Sequence, residues 1–212
     1  MDSVAVFEFL RGIATPGLDR VMKVITDLGS TGFYMAVIPV LYWCINKSLG
    51  FRLAIALSIS NYINVGIKFI FCRLRPYVVF PHLDAPEYLK LTGTGYSFPS
   101  GHAQVSSTFW TYLARSARQK WITVTGIVVV VFVAFTRVYA TVHYPTDVLV
   151  GAVLGVAIAC LYAEIENRVR AFVPRSKERV RFLLAVSVVV PGFAFALSAP
   201  FNVAFTGEVA QV

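Results

Sequence analysis

Charged side chains are scarce here: Asp, Glu, Lys and Arg make up 14% of 212 residues, against about 25% in an ordinary soluble domain. With 57% of the residues hydrophobic, too little polar surface remains to cover a soluble core. Short segments of alternating polarity, the mark of a transmembrane β-barrel, are absent, as are internal repeats and low-complexity tracts. Cysteine is rare too. Cys44, Cys72 and Cys160 lie in or beside apolar segments, with no CxxC pair and no metal-ligand spacing, so they read as small buried hydrophobes. Residues 1–13 carry Asp2 and Glu8 and lack a basic n-region and a small-residue cleavage site, which argues against a cleavable signal peptide.

What is present is a series of long apolar runs, each near the roughly 17–25 residues a spanning helix needs. The expected fold is all-α: a polytopic membrane protein forming one domain over 1–212, with six spans near 32–45, 49–71, 100–114, 121–140, 145–169 and 182–205. The last holds Pro191, Gly192 and Pro200 and should be kinked. Before the first span, Val4, Phe7, Phe9, Leu10 and Ile13 share the face of an amphipathic helix suited to the membrane interface. The loop 73–99, rich in Pro, Gly and aromatics, reads as a lid or substrate-access loop. If the spans alternate, three connections on one face hold 11 of the 19 basic residues. The positive-inside rule makes that face cytoplasmic and accounts for the net charge of +8 without nucleic-acid binding. Both termini then lie on the opposite side.

Three motifs stand at apolar boundaries on that opposite side. Lys68 near the end of the second span and Arg75-Pro76 beyond it can grip one anion, the guanidinium bidentately. The alternative reading is a snorkelling lysine with an interfacial arginine. Pro99-Ser100-Gly101-His102 opens the third span, with Ser100 as an N-cap, Gly101 allowing an anion near the backbone, and helix N–H groups directed outward. Arg137 ends the fourth span, and His143 and Asp147 flank the start of the fifth. The spacing lets the Asp147 carboxylate reach one ring nitrogen and leave the other as a base or nucleophile. Each motif alone has a structural explanation; together they hold two of the three histidines and supply every part of a phosphate site.

The set K-x6-R-P, P-S-G-H and R-x5-H-x3-D resembles the type 2 phosphatidic acid phosphatase (PAP2) family, over a motif core of 68–147. Thr136 stands where the family usually has Ser before the arginine, keeping a hydroxyl. The resemblance implies a metal-independent lipid phosphate phosphatase with no cofactor. His143 would attack phosphorus, Asp147 would orient it and His102 would protonate the leaving group. Lys68, Arg75, Ser100, Gly101 and Arg137 would bind the phosphate oxygens. Its partners would be the bilayer and a lipid phosphate: undecaprenyl diphosphate, phosphatidate, phosphatidylglycerophosphate or a sphingoid phosphate. The protein would sit in the cell (inner) membrane with its site on the extracytoplasmic side. Phe80, Tyr88, Tyr96, Phe98, Phe109 and Trp110 would line the tail route or form an aromatic belt. Vanadium haloperoxidases share such a site but are soluble, which the composition opposes. A luminal sugar-phosphate phosphatase of the same superfamily, or an anion or lipid transporter using the same cations, stays open as an alternative.

Overall fold

The computed structural model describes residues 4–172 apart from Asp84 and Thr94, with side chains as far as Val169. The expected sixth span, 182–205, lies outside the described residues. Within them the chain forms α1 (Val4–Gly12), α2 (Pro16–Asp27), α3 (Thr31–Val40), a π-helical turn (Leu41–Ile45), α4 (Lys47–Phe71), α5 (Pro76–Val79), α6 (Glu87–Lys90), α7 (Gly101–Ala117), α8 (Lys120–Tyr139) and α9 (Pro145–Phe172).

Three stretches are long and apolar enough to cross a membrane: Lys47–Val79, Lys120–Tyr139 and Pro145–Val169. A fourth arises if Pro16–Asp27 and Thr31–Ile45, bent by 48°, act as one. Joined in this way, the expected span 32–45 is the second half of a broken element. Ser30 starts that half as an N-cap, its hydroxyl accepting from the Phe33 N–H at 3.1 Å. Pro39 then removes a ladder donor shortly before the π-helical turn.

The expected span 100–114 also differs. α7 is 17 residues long, about 26 Å, and is not among the apolar spans. It is the central helix, packed against α4, α8 and α9, and residues 103–109 are buried without a break. Its polar side chains find partners inside the bundle. Asn64 Nδ2 donates to Gln104 Oε1 at 2.9 Å, and Gln104 Nε2 donates to the Ser60 carbonyl at 2.8 Å. Ser60 and Thr108 hydroxyls meet at 2.9 Å. A helix sheathed by helices can carry a polar stripe that lipid would not tolerate.

α7 and α9 touch backbone to backbone. A Cβ on Gly151 would stand 2.6 Å from the Ser100 carbonyl, and one on Gly155 would stand 2.3 Å from the Gln104 carbonyl. Gly151 and Gly155 thus form a small-xxx-small seam, which holds the start of α7 against the start of α9. Gly155→Leu should cost about 1–3 kcal/mol by overpacking. That is read as a fall of several degrees in the melting temperature of the detergent-solubilised protein; an unchanged value would mean the helices part freely here.

The expected N-terminal helix is present as α1, but its apolar residues divide. Phe7 and Leu10 are buried in a cluster with Leu89, Tyr139 and Tyr144, and the Phe7 and Tyr144 rings meet at 5.8 Å. Phe9 and Ile13 are exposed. An Arg11–Asp19 ion pair at 3.0 Å and a Tyr139 hydroxyl donating to Asp19 at 2.7 Å pin α1 and α2 to α8. Two further expectations are corrected. Cys44 and Cys72 are exposed and Cys160 only partly covered, because the outer faces of these helices are themselves apolar. Phe109 lines no tail route: it is buried in the core, 4.8 Å from Tyr34 and 5.5 Å from Trp110.

Candidate active site

Five helices begin or end at one pole of the bundle, and their terminal residues meet there. α4 stops after Lys68, where Cys72 adopts the left-handed conformation (φ 44°) and turns the chain away. Arg75 stands immediately before α5, Ser100 immediately before α7, and Arg137 in the last turn of α8. Pro145 opens α9, with Asp147 in its first turn. Between α8 and α9 the Arg137 carbonyl accepts from the Val142 N–H at 3.2 Å and the His143 N–H at 3.3 Å. Thr141 is held left-handed at φ 57°, a costly state for a β-branched residue. That turn sets His143 beneath Arg75.

Arg75 Nη1 lies 3.2 Å from His143 Nε2. A guanidinium can only donate, so Nε2 is the unprotonated nitrogen and Nδ1 carries the hydrogen. Nδ1 lies 3.6 Å from Asp147 Oδ2, longer than the hydrogen bond expected from the i, i+4 spacing. The Ser97 hydroxyl fills the gap, donating to Asp147 Oδ2 and sitting 3.5 Å from Nδ1. Asp147 is further fixed by Arg73 Nη1 on Oδ1 at 2.8 Å and the Tyr144 N–H on Oδ2 at 2.9 Å. The Arg73 guanidinium also lies over the Tyr144 ring, 3.8 Å from its centroid. His143 is 2% exposed and Asp147 is fully buried. Burial first, then the charges of Arg75, Lys68, Arg137 and His102, hold the His143 pKa well below the ordinary histidine value, so the ring is neutral at physiological pH.

The cations are gripped by loop 73–99, which is a packed cap over the site. Arg75 Nε donates to the Gly95 carbonyl at 2.8 Å and Nη1 to the Val142 carbonyl at 2.6 Å. Lys68 Nζ donates to the Tyr96 carbonyl. Arg137 is fully buried: Nη1 donates to the Thr26 and Thr92 hydroxyls at 2.7 and 2.8 Å, and Nη2 donates to the Thr92 carbonyl at 3.0 Å. A Cβ on Gly93 would stand 2.7 Å from Arg75 Nη1, so glycine there admits the guanidinium. Of the seven buried side-chain polar atoms without a hydrogen-bond partner among the described residues, three lie at this pole: the Ser100 hydroxyl, Arg137 Nε and the Thr141 hydroxyl. Such orphans are costly unless something else meets them.

The PSGH segment departs from expectation in detail. Ser100 occupies the N-cap position, yet its hydroxyl makes no cap bond. A Cβ on Gly101 would meet Asn64 Oδ1 at 3.2 Å, so this glycine gives room to α4. The Ser100 N–H donates to the Asp147 carbonyl at 3.0 Å, joining the second motif to the third. His102 is half-buried in the first turn of α7, within reach of the charges of Arg137, Arg75 and Lys68. Thr136 turns its hydroxyl onto the Val133 carbonyl of its own helix at 2.7 Å. Among the described residues, no three of His, Cys, Asp and Glu gather closely enough to bind a metal ion.

Sequence reading missed Thr26, Thr92 and Ser97. All three are ordinary hydroxyl residues outside any motif, and nothing local marks them. Arg73, two residues before Arg75, also belongs to none of the three motifs.

The sequence profile of the PAP2 superfamily matches residues 49–171, more than half of the chain. An undecaprenyl-diphosphatase of Sulfolobus acidocaldarius is 35% identical over 121 residues, 57% of this chain and 57% of that protein. Phosphatidylglycerophosphatase B of Bacillus subtilis is 25% identical over 174 residues, covering 76% of this chain and 81% of the relative. The crystal structure of the transmembrane PAP2-type phosphatidylglycerolphosphate phosphatase of Bacillus subtilis superposes with a TM-score of 0.65 at 26% identity, over 80% of this chain and 86% of the other. That of Aquifex aeolicus LpxE, at 23% identity and a TM-score of 0.66, shares the fold over 76% of this chain and 94% of its own.

Proposed function

The chain belongs to the PAP2 superfamily, and from that premise we propose that it is a membrane lipid phosphate phosphatase working through a phosphohistidine. The observation that carries the reading is a neutral, buried His143 whose Nε2 lone pair faces Arg75 at 3.2 Å, beside partnerless donors on Ser100 and Arg137. On substrate arrival Arg75 exchanges the lone pair for a phosphate oxygen and frees Nε2 to attack phosphorus. Arg137 Nε and the Ser100 hydroxyl receive other oxygens, and Lys68 adds a third positive charge. The P–N bond forms as the P–O bond to the lipid breaks. The anionic phosphate offsets the cations around His102 and lets its ring carry the proton it gives to the departing oxygen; water then cleaves the P–N bond and passes a proton back to His102. Asp147, through Ser97 and directly, balances the charge that grows on the imidazole. Phosphoryl transfer depends chiefly on positioning and charge stabilisation, which these fixed cations supply.

The membrane-crossing helices and the membrane-bound relatives make this an integral membrane protein. The positive-inside pattern favours six spans with the site on the extracytoplasmic side. A site framed by apolar helices suits a substrate with its phosphate at the interface and its tail in the bilayer. The names of the two relatives favour undecaprenyl diphosphate and phosphatidylglycerophosphate, with phosphatidate and sphingoid phosphates the further members of the class. Phosphate release across that panel, with glucose 6-phosphate included and His143→Ala as the blank, tests the reading. Release from lipid phosphates alone is expected; release from none, or from the sugar phosphate alone, would overturn it.

Two predictions arise here. Activity should survive EDTA, and loss with EDTA restored by Mg²⁺ would contradict catalysis by cationic side chains. Thr26→Val removes one of three acceptors from the buried Arg137 guanidinium. It should lower kcat/KM about tenfold, a hydrogen bond to a charged group being worth about 1.5–3 kcal/mol, with Thr26→Ser restoring it. Unchanged kcat/KM in Thr26→Val would detach α2 from the site.

A further inference from the structure

The pole of the bundle opposite the catalytic groups holds a polar cavity of about 530 Å³. Its walls include Arg52 from the start of α4, Tyr112, Arg115 and Arg118 from the end of α7, and Glu166 and Asn167 from α9. Along α9 it lies 19 residues from Asp147, about 28 Å at 1.5 Å per residue. That is close to the roughly 30 Å of a bilayer's hydrocarbon core, so the cavity sits at head-group depth in the other leaflet. None of its walls belongs to the catalytic cluster.

Three guanidinium groups face one carboxylate there, and the carboxylate is already engaged. Glu166 Oε1 lies 3.4 Å from Arg52 Nη1, and its Oε2 accepts from the Tyr112 hydroxyl. Arg52 is braced again by its Nε donating to the Ser48 carbonyl at 2.9 Å. This triad makes a neutral wall. Arg115 and Arg118 are exposed, and among the described residues neither has a carboxylate within 4.0 Å. Arg118 also occupies the left-handed C-cap of α7 (φ 53°, ψ 30°), its N–H bonded to the Ala114 carbonyl at 2.9 Å. That position favours glycine or asparagine, yet it carries an arginine whose side chain lines the cavity.

We propose that this cavity binds a phosphate-bearing anion, the head group of an acidic phospholipid in the leaflet opposite the catalytic site. Arg115 and Arg118 supply forked, charge-assisted donors to the phosphate, while Ser116 and Asn167 supply neutral ones at its rim. Basic pockets between membrane helices take acidic head groups by this chemistry.

The test follows the melting temperature of the full chain in detergent during titration with short-chain phosphatidylglycerol, phosphatidylcholine or inorganic phosphate, since a ligand of the native state stabilises it by mass action. Phosphatidylglycerol should bind the wild type at least tenfold more tightly than phosphatidylcholine. R115Q/R118Q should lose at least tenfold of that affinity, whereas Lys120→Gln, an exposed cation outside the cavity, should keep it. R115K/R118K retains the charge without the fork and should fall between, carrying the test if the Gln pair folds poorly. Inorganic phosphate binding as tightly, with the same loss in R115Q/R118Q, would assign the site to a soluble phosphate. Equal affinity in wild type and R115Q/R118Q, or equal loss in Lys120→Gln, would overturn the proposal.

Discussion

His143→Ala is expected to lower kcat by about 10⁴-fold or more, the scale on which loss of a covalent nucleophile is felt, while the protein stays folded. The two halves of that expectation have separate grounds. The other histidine of the cluster, His102, does not replace the lost imidazole, because it occupies a different element, the first turn of α7. Folding survives because Arg75 keeps its bonds to the Gly95, Val142 and Tyr96 carbonyls when the imidazole is removed. The variant should melt within a few degrees of the wild type, and a wild-type kcat would show that another group attacks phosphorus.

Asp147→Asn should cost about 10³-fold in kcat with KM changed only a few-fold. A carboxylate-to-amide change behind a catalytic histidine typically costs about 10⁴ by favouring the wrong tautomer. Here the Ser97 hydroxyl beside Nδ1 retains part of the orienting role, which argues for the smaller figure. Stability should fall as well. Arg73 on Oδ1, Ser97 and the Tyr144 N–H on Oδ2 all donate to this carboxylate, and the amide nitrogen opposes one of those donors with another. Steady-state kinetics with a melting curve separates the two effects; kcat within tenfold of the wild type would remove Asp147 from the catalytic step.

The chemistry of this protein is more legible in its sequence than the framework that aims it. Lys68, Arg75, His143 and Asp147 announce themselves because a charge or an imidazole at an apolar boundary needs a reason. Their hydrogen-bond partners do not. Thr26 lies 111 residues from Arg137, and Ser97 lies 50 from Asp147. A hydroxyl residue at such separation carries no local mark of its task. The central helix shows the same limit in reverse. Hydropathy reads α7 as a weak span because it scores Gln104, Ser106, Ser107 and Thr108 as if they met lipid, whereas all four are buried among helices. Gly151 and Gly155 stand at GxxxG spacing, but the spacing alone does not say which helix meets them. α2 escaped because its amphipathic pattern precedes a break of a few residues that hydropathy averages away. The division of α1 between Phe7 and Leu10 inside and Phe9 and Ile13 outside needed the position of α8, which no periodicity contains.

The claim that phosphate passes through His143 is tested most directly by rapid chemical quench with a lipid phosphate labelled on its terminal phosphorus, followed by peptide mapping. The account predicts a base-stable, acid-labile label on the peptide containing His143, appearing no later than released phosphate and absent from His143→Ala. Full turnover with no protein-bound label, or label on a different residue, would contradict it.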